Sequence, residues 1–444
     1  MVISFEKINI FKDLNQEKIG TNCFYIGVFF LASAVGLSMI FLLISQLISF
    51  LKPSQYLKDK WNYPLIISGI LMSMSSFIHF LRYEKNIDLN LDPKLSLLGL
   101  INWLPFFLCF WGFQKYLNSP GKRLFTSKLL ICGSIPVIFS GILQLLNING
   151  PFELFNGFII WFQKPISDLG SVAGLFNNQN YAGLWMVLVW PFCLSELIRP
   201  NIDFNKRITL SIICSLFIAF ITLTDSRNAF LGFIISSPIV LGSASLIWYL
   251  PSIILAFLSL ALTVLPIIPN EIQVFMKTII PKRIYTLFPE IGLSNLTSYP
   301  RINKWLTSFS YIFQRPVFGW GAASFPILYS LKSGEWFGHS HNLHLELAIS
   351  YGFLPSAIIF SFFVFILYLS YKKISKLSKK RDKNQKYFLN YKAWYAASLI
   401  FFLSHLVDIQ YFDVRISTIC WILLAGLRSF LKEDLEKKVI TLNN

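Results

Sequence analysis

The chain has 444 residues, 55% of them apolar and only 14% charged, with a mean hydropathy of +0.58 and a formal charge of +17. A soluble domain carries about 25% charged residues, so this composition excludes a soluble globular enzyme. The excess of Lys and Arg falls between apolar stretches, which is the pattern of cytoplasmic loops facing anionic lipid and not of a nucleic-acid binder.

Apolar stretches long enough to cross ~30 Å of hydrocarbon recur from Phe24 to Leu431. Backbone groups in lipid must satisfy one another, and alternating barrel strands are absent, so these stretches are read as helices. The expectation is an all-α, polytopic transmembrane bundle of about 11–12 spans, with residues 1–444 forming a single membrane domain. The first 22 residues mix charged and apolar side chains and lack the short apolar core and small-residue cut site of a cleavable signal, so Phe24 onward is expected to be retained. The six cysteines lie in or beside apolar segments without a CxxC pair and read as small core residues.

Expected spans are 24–51, 63–81, 95–117, 125–147, 180–198, 207–224, 228–243, 245–269, 343–371, 392–411 and 414–431. The first is long for one span and holds the small-residue run Ala32 to Gly36. It is read as a broken pair, which would give twelve passes, with a single tilted helix as the alternative. Orientation follows from Lys and Arg: the segment 372–392 holds nine of them and is expected to be a basic cytoplasmic loop. Lys52, Lys58 and Lys60 mark a second inside loop, Lys122, Arg123 and Lys128 a third, and Arg199, Lys206 and Arg207 a fourth. Counting spans then puts 148–179, the turn at 224–228 and the long loop 270–342 outside. In that loop Ile302, Trp305, Leu306, Phe309 and Phe313 recur at helical spacing, which predicts an interfacial helix buried on its apolar side.

Three outward clusters carry polar chemistry. The segment Gly174 to Gly183 is rich in amides, and Asp225 to Asn228 is a charged tetrad at a span junction. Gly319-Trp320-Gly321 precedes a run from His339 to Glu346 that contains three of the five histidines. Arginine binds phosphate oxygens through a planar, permanently charged fork. Histidine is the usual base for a hydroxyl near neutral pH. Arg227, Arg301 and His341 offer that combination on one side of the membrane. Each also has a plainer reading: a headgroup anchor for Arg227, an ordinary interfacial cation for Arg301, a helix-capping group for His341. His339, His341 and His344 could also form a metal set with Glu335 or Glu346, but no carboxylate pair or second ligand cluster supports it, so no metal or cofactor is expected.

His341-Asn342, nine residues, then Gly352 resembles the signature of the O-antigen ligase and O-antigen polymerase-like superfamily. Ser226-Arg227, Arg301 with Trp305, Gly319-Trp320-Gly321 with Phe325, and Phe176 to Asn180 with Ala182 are similar to further motifs of that family, in the same order. The matches cover about 174–355, and Pro355 departs from the small or polar residue usual at its place. The resemblance implies a fold related to the GT-C glycosyltransferases and metal-independent, inverting transfer of a glycan from undecaprenyl diphosphate at the periplasmic face of a bacterial inner membrane. His341 would activate or hold the acceptor hydroxyl, Arg227 and Arg301 would grip the diphosphate, and His339, Asn342, Asn178 and Asn180 would support the site. A ligase would use lipid A–core as acceptor, and a polymerase the growing glycan. A reading of another class, transport of inorganic carbon or a small solute, would call on the ionisable residues His79, Glu196, His405 and Asp408.

Overall fold

The computed structural model describes residues 2–51, 54–81, 91–265, 267–279, 300–379 and 385–433. Lys52, residues 280–299 of the long loop and residues 380–384 of the basic loop lie outside them. The described chain is almost wholly helical. Its only sheet among those residues is the hairpin β1 (Phe152–Leu154) and β2 (Ile159–Trp161). The chain divides into two compact units, residues 1–240 with 307–444, and residues 241–306.

The first unit opens with α1 (Val2–Phe30) and α2 (Val35–Ser49), separated by a turn at Leu31 to Ala34. Here the expected broken pair is what forms. The two helices fold back on each other, with Ser38 Oγ donating to Gly27 O at 2.6 Å. A Cβ at Gly27 would stand 2.6 Å from Leu42 Cγ, so the missing side chain sets how closely the hairpin closes. Next come α3 (Tyr63–Leu81), α4 (Pro93–Leu98), α5 (Leu104–Gly112) and α6 (Pro120–Leu145), the last capped by Ser119, whose Oγ accepts from Lys122 N. Two further helices, α7 (Gln179–Leu197) and α8 (Phe204–Leu223), lead to α9 (Arg227–Leu241).

In the second unit, α10 (Leu246–Val264) precedes α11 (Asn270–Ile279). Ile247, Trp248, Leu255 and Phe257 of α10 are exposed, as suits a helix surrounded by hydrocarbon. The helix α12 (Pro300–Gln314) crosses from this unit into the first. Its apolar stripe is not buried in the protein. Leu306, Phe309 and Phe313 are exposed, while Lys304, Thr307, Ser308 and Tyr311 are buried. The periodicity marks the helix, and its apolar face is left uncovered by protein, as an interfacial helix requires.

The chain then forms α13 (Ser324–Ser333), α14 (Leu343–Tyr351), α15 (Phe353–Lys379), α16 (Gln385–Ser404) and α17 (Val414–Lys432). Two expected spans are corrected here. The stretch 343–371 is two helices, because Gly352 sits at φ +101 and a Cβ there would lie 2.1 Å from Val317 O. The nine residues of α14 reach about 13 Å, too short to cross a bilayer. The stretch 392–411 ends at Ser404, and residues 405–413 turn back as a loop.

Among the described residues, six helices are long and apolar enough to cross a membrane: Lys60–Leu81, Pro93–Tyr116, Pro120–Leu145, Phe204–Leu223, Phe353–Lys379 and Val414–Lys432. Val35–Ser49 and Arg227–Leu241 are shorter apolar helices. The protein is an all-α, multi-pass membrane protein. Buried on nearly every side, α7 and α17 form the centre of the first unit, where Trp185, Trp394 and Trp421 are the largest enclosed side chains.

Candidate active site

The short helix α14 is bolted to the loop that follows α16. Asn342 caps it, its Oδ1 accepting from His344 N at 3.0 Å and Leu345 N at 3.1 Å. The same side chain donates from Nδ2 to Leu406 O at 2.9 Å, and Leu343 N donates to His405 O at 2.9 Å. The chain reaches this cap through His341 in the left-handed region, φ +56, a conformation that costs a non-glycine residue roughly 1–2 kcal/mol. That turn sets the imidazole Nδ1 3.0 Å from Oδ1 of Asp408.

Asp408 is almost fully buried and well supplied with donors. Its Oδ1 also accepts from Ile409 N at 2.9 Å, and its Oδ2 from Gln410 Nε2 at 2.8 Å. Burial works against its charge, yet the bond and charge of His341 and the Ile409 N–H outweigh burial and hold the carboxyl below the ordinary carboxylate range. In the neutral imidazole an anionic Asp408 facing Nδ1 favours the tautomer with its proton there, which makes Nε2 the lone-pair acceptor on a partly exposed ring.

The other histidines divide. His339 stands beside His341, ring centroids 4.4 Å apart and edge to face, and its Nδ1 accepts from His341 N at 3.2 Å. His344 turns the other way and packs against Phe360 and Phe402. His341 lies in the loop before α14, so the two residues share no helix face.

His339, His341 and Asp408 also bring one ligand atom each within 4.8 Å of one another. Such a set has the chemistry to hold a divalent cation. Local sequence offered Glu335 or Glu346 as the carboxylate of such a set, whereas the structure brings in Asp408, 67 residues downstream of His341.

Arg227 is the first residue of α9 and is exposed. Its turn has Asp225 at φ +54 and a cap in which Ser226 Oγ accepts from Ala229 N at 3.4 Å. Gly183 of α7 fits against this turn, since a Cβ there would lie 2.9 Å from Ser226 Cβ. Asn228 Nδ2 reaches Ser404 O at 3.5 Å, where α16 passes into the Asp408 loop. Arg227 thus stands at the same end of the bundle as the His341–Asp408 pair, and among the described residues it makes no ion pair. Arg301 is exposed in the first turn of α12 and belongs to the other unit. Its share in the site rests on the sequence.

The amide-rich segment is placed by buried polar contacts. Gln144 Oε1 accepts from Ala173 N at 3.0 Å and Gly174 N at 2.7 Å. Arg415 donates from Nη1 to Leu175 O at 2.9 Å, lies 3.7 Å over the Phe176 ring, and pairs with Asp413. Asn178 is spent on capping α7, its Oδ1 accepting from Asn180 N at 2.8 Å. Asn178 and Asn180 are both half-buried. Arg415, Asp413 and Asp408 are the polar groups that the sequence did not single out for the site.

Gly319-Trp320-Gly321 closes the far end of α14. Trp320 N donates to Ile349 O at 2.7 Å and Gly321 N to Ser350 O at 3.0 Å, which satisfies carbonyls that a helix end leaves open. A Cβ at Gly319 would meet Ile349 O at 2.4 Å, so glycine is required there.

The four ionisable residues of the transport reading each have a local partner. Glu196 pairs with Arg199 and Lys128, His79 Nε2 lies 3.0 Å from Phe318 O, His405 Nδ1 lies 2.8 Å from Phe401 O, and Asp408 serves His341.

Residues 212–361 match the model of the O-antigen ligase family. Within those residues the chain resembles an O-antigen ligase-like superfamily. The matched segment contains Arg227, Arg301, Gly319 to Gly321, His341 and Asn342, whereas Asp408 and the amide segment lie outside it. No curated protein matched the chain. The match points to a glycan-processing membrane enzyme, with lipid-linked glycan and a glycan acceptor as its general class of partners.

Proposed function

We propose that this O-antigen ligase-like protein transfers a glycan from undecaprenyl diphosphate to lipid A–core at the periplasmic face of the bacterial inner membrane, with inversion and without a metal. The observation that carries the reading is the 3.0 Å contact between His341 Nδ1 and Asp408 Oδ1, inside an O-antigen ligase-like framework. Nε2 of His341 takes the proton of the acceptor hydroxyl as the oxygen attacks the anomeric carbon. The bond from that carbon to the diphosphate oxygen breaks, and the diphosphate leaves with the electron pair. Asp408 steadies the imidazolium that results. Arg227 offers its charge to the leaving diphosphate, and Arg301 is assigned the same role from the family-like sequence pattern alone. His339 and Asn342 hold the His341 turn, and Asn180 lines the approach.

The test is to incubate the purified protein in lipid nanodiscs with undecaprenyl diphosphate-linked glycan and lipid A–core. Ligated lipid is the expected product. Lengthened donor chains without ligated lipid would replace this reading with repeat-unit polymerisation, and no turnover of the donor would overturn transfer altogether.

A further inference from the structure

A cavity of about 340 Å³ opens within the first unit beside the catalytic loops. Its walls include Asn102, Trp103, Gly338, Glu346, Ser350 and Phe412. Both loops of the His341–Asp408 pair are tied to it. On one side Glu346 Oε2 accepts from Ser340 N at 2.8 Å, between His339 and His341. On the other, Tyr411 donates from its hydroxyl to Asn102 O at 3.0 Å and stacks on Trp103 at 4.4 Å, three residues beyond Asp408. The cavity therefore lies between the same two loops that bring base and carboxylate together.

Its lining is mixed in a telling way. Aromatic and aliphatic surface predominates, interrupted by the Asn102 amide, the hydroxyls of Ser350 and Tyr351 and one buried carboxyl, and among the described residues no Lys or Arg lines it. A diphosphate would find no cation there and would meet the Glu346 carboxyl instead. A bare isoprenoid chain would cover the Asn102 amide and the Glu346 carboxyl without offering either a hydrogen bond, which is costly. A sugar ring offers what both kinds of surface need, hydroxyls for the polar groups and a C–H face for the rings. The volume is at the small end for ligand pockets, suited to a sugar residue and not to a polymer.

We propose that this cavity is the subsite for an uncharged terminal sugar of the acceptor, with Glu346 and Asn102 bonding its hydroxyls and so setting which sugar is accepted. The proposal rests on the transfer reading above and names the acceptor side of that same site.

The test uses full-length protein in nanodiscs free of glycosidic detergent, with methyl glycosides of glucose, galactose, mannose and N-acetylglucosamine as probes, and geranylgeraniol as a competitor. Binding is read by saturation-transfer NMR. At least one glycoside should bind, and Asn102→Leu and Glu346→Gln should each weaken it about tenfold, the effect of losing one hydrogen bond. Because Glu346 also holds the Ser340 backbone, Asn102→Leu, which is remote from that loop, is the cleaner arm. With lipid A–core as acceptor, Asn102→Leu should raise KM about tenfold and leave kcat unchanged, a split that general loosening of the fold would not produce. Binding of no glycoside, binding indifferent to both substitutions, or binding of geranylgeraniol alone would overturn the subsite. His341→Ala should keep the glycoside affinity of the unmodified protein. If that variant also keeps transfer, the catalytic reading falls while the subsite stands.

Discussion

Asp408 Oδ1 lies 3.0 Å from His341 Nδ1, across a separation of 67 residues, and also accepts the N–H of Ile409 at 2.9 Å. The carboxylate is thus rigidly aimed before it meets the imidazole. Asp408→Asn keeps the shape and can present an N–H to Nδ1, which favours the tautomer with its proton on Nε2. Single-turnover transfer should fall by about 10²–10⁴-fold, while donor binding stays near that of the unmodified protein. Normal turnover in the Asn variant would remove Asp408 from the mechanism.

The three neighbouring histidines should separate cleanly. His341→Ala should lose transfer by about 10²–10⁴-fold. His339→Ala should give a smaller loss, since its Nδ1 only accepts from the His341 backbone at 3.2 Å. His344→Ala should act on stability, because that ring packs against Phe360 and Phe402 and faces away from Asp408. Thermal unfolding in nanodiscs measures this, with a lowered midpoint and near-normal transfer expected. A transfer defect confined to His344→Ala would overturn the assignment.

His339, His341 and Asp408 have the spacing of a metal set, so a direct assay is needed. On the proposed mechanism the His341 Nδ1 proton is held by Asp408 and Nε2 is the working atom. Extended dialysis against EDTA should leave turnover unchanged, and added Mg²⁺, Mn²⁺ or Zn²⁺ should not raise it. Loss on chelation with recovery on one added ion would replace the general-base reading with a metal-assisted one.

Much of this architecture is legible in the residues themselves, because hydropathy marks helices in a solvent that cannot satisfy the backbone. The small-residue run Ala32 to Gly36 marks the turn between α1 and α2, where 24–51 breaks into a pair. His341-Asn342 was legible as a capped helix start beside a reactive ring. The carboxylate was not. Asp408 fell inside an apolar stretch that looked like one span, and only the end of α16 at Ser404 frees it to turn back toward His341. Gly352 hid in the same way, since apolar residues flank it on both sides and the helix break depends on Val317 O approaching its Cα. In α12 periodicity marks the apolar stripe, and Leu306, Phe309 and Phe313 on it are left uncovered by protein.

Arg227 and Arg301 should distinguish phosphate recognition from membrane anchoring. Both are exposed, and among the described residues neither is held in an ion pair, so each guanidinium is available to a ligand. Lysine preserves the charge at either position but replaces a planar fork with a single ammonium. An anchor at the headgroups needs only the charge, and Arg→Lys would then leave transfer intact. A residue that binds diphosphate oxygens through two parallel N–H bonds loses one of them and the geometry with it. We expect Arg227→Lys and Arg301→Lys each to lower kcat at least tenfold, in line with loss of about 1.4 kcal/mol or more of transition-state stabilisation. The readout is release of undecaprenyl diphosphate in a single turnover, with protein level and melting temperature measured alongside. Full turnover in both lysine variants would reduce the two arginines to anchors and leave the diphosphate to be held elsewhere. A defect in Arg227→Lys alone would keep the exposed cation at the Asp408 end of the bundle as the donor contact and remove Arg301 from the site.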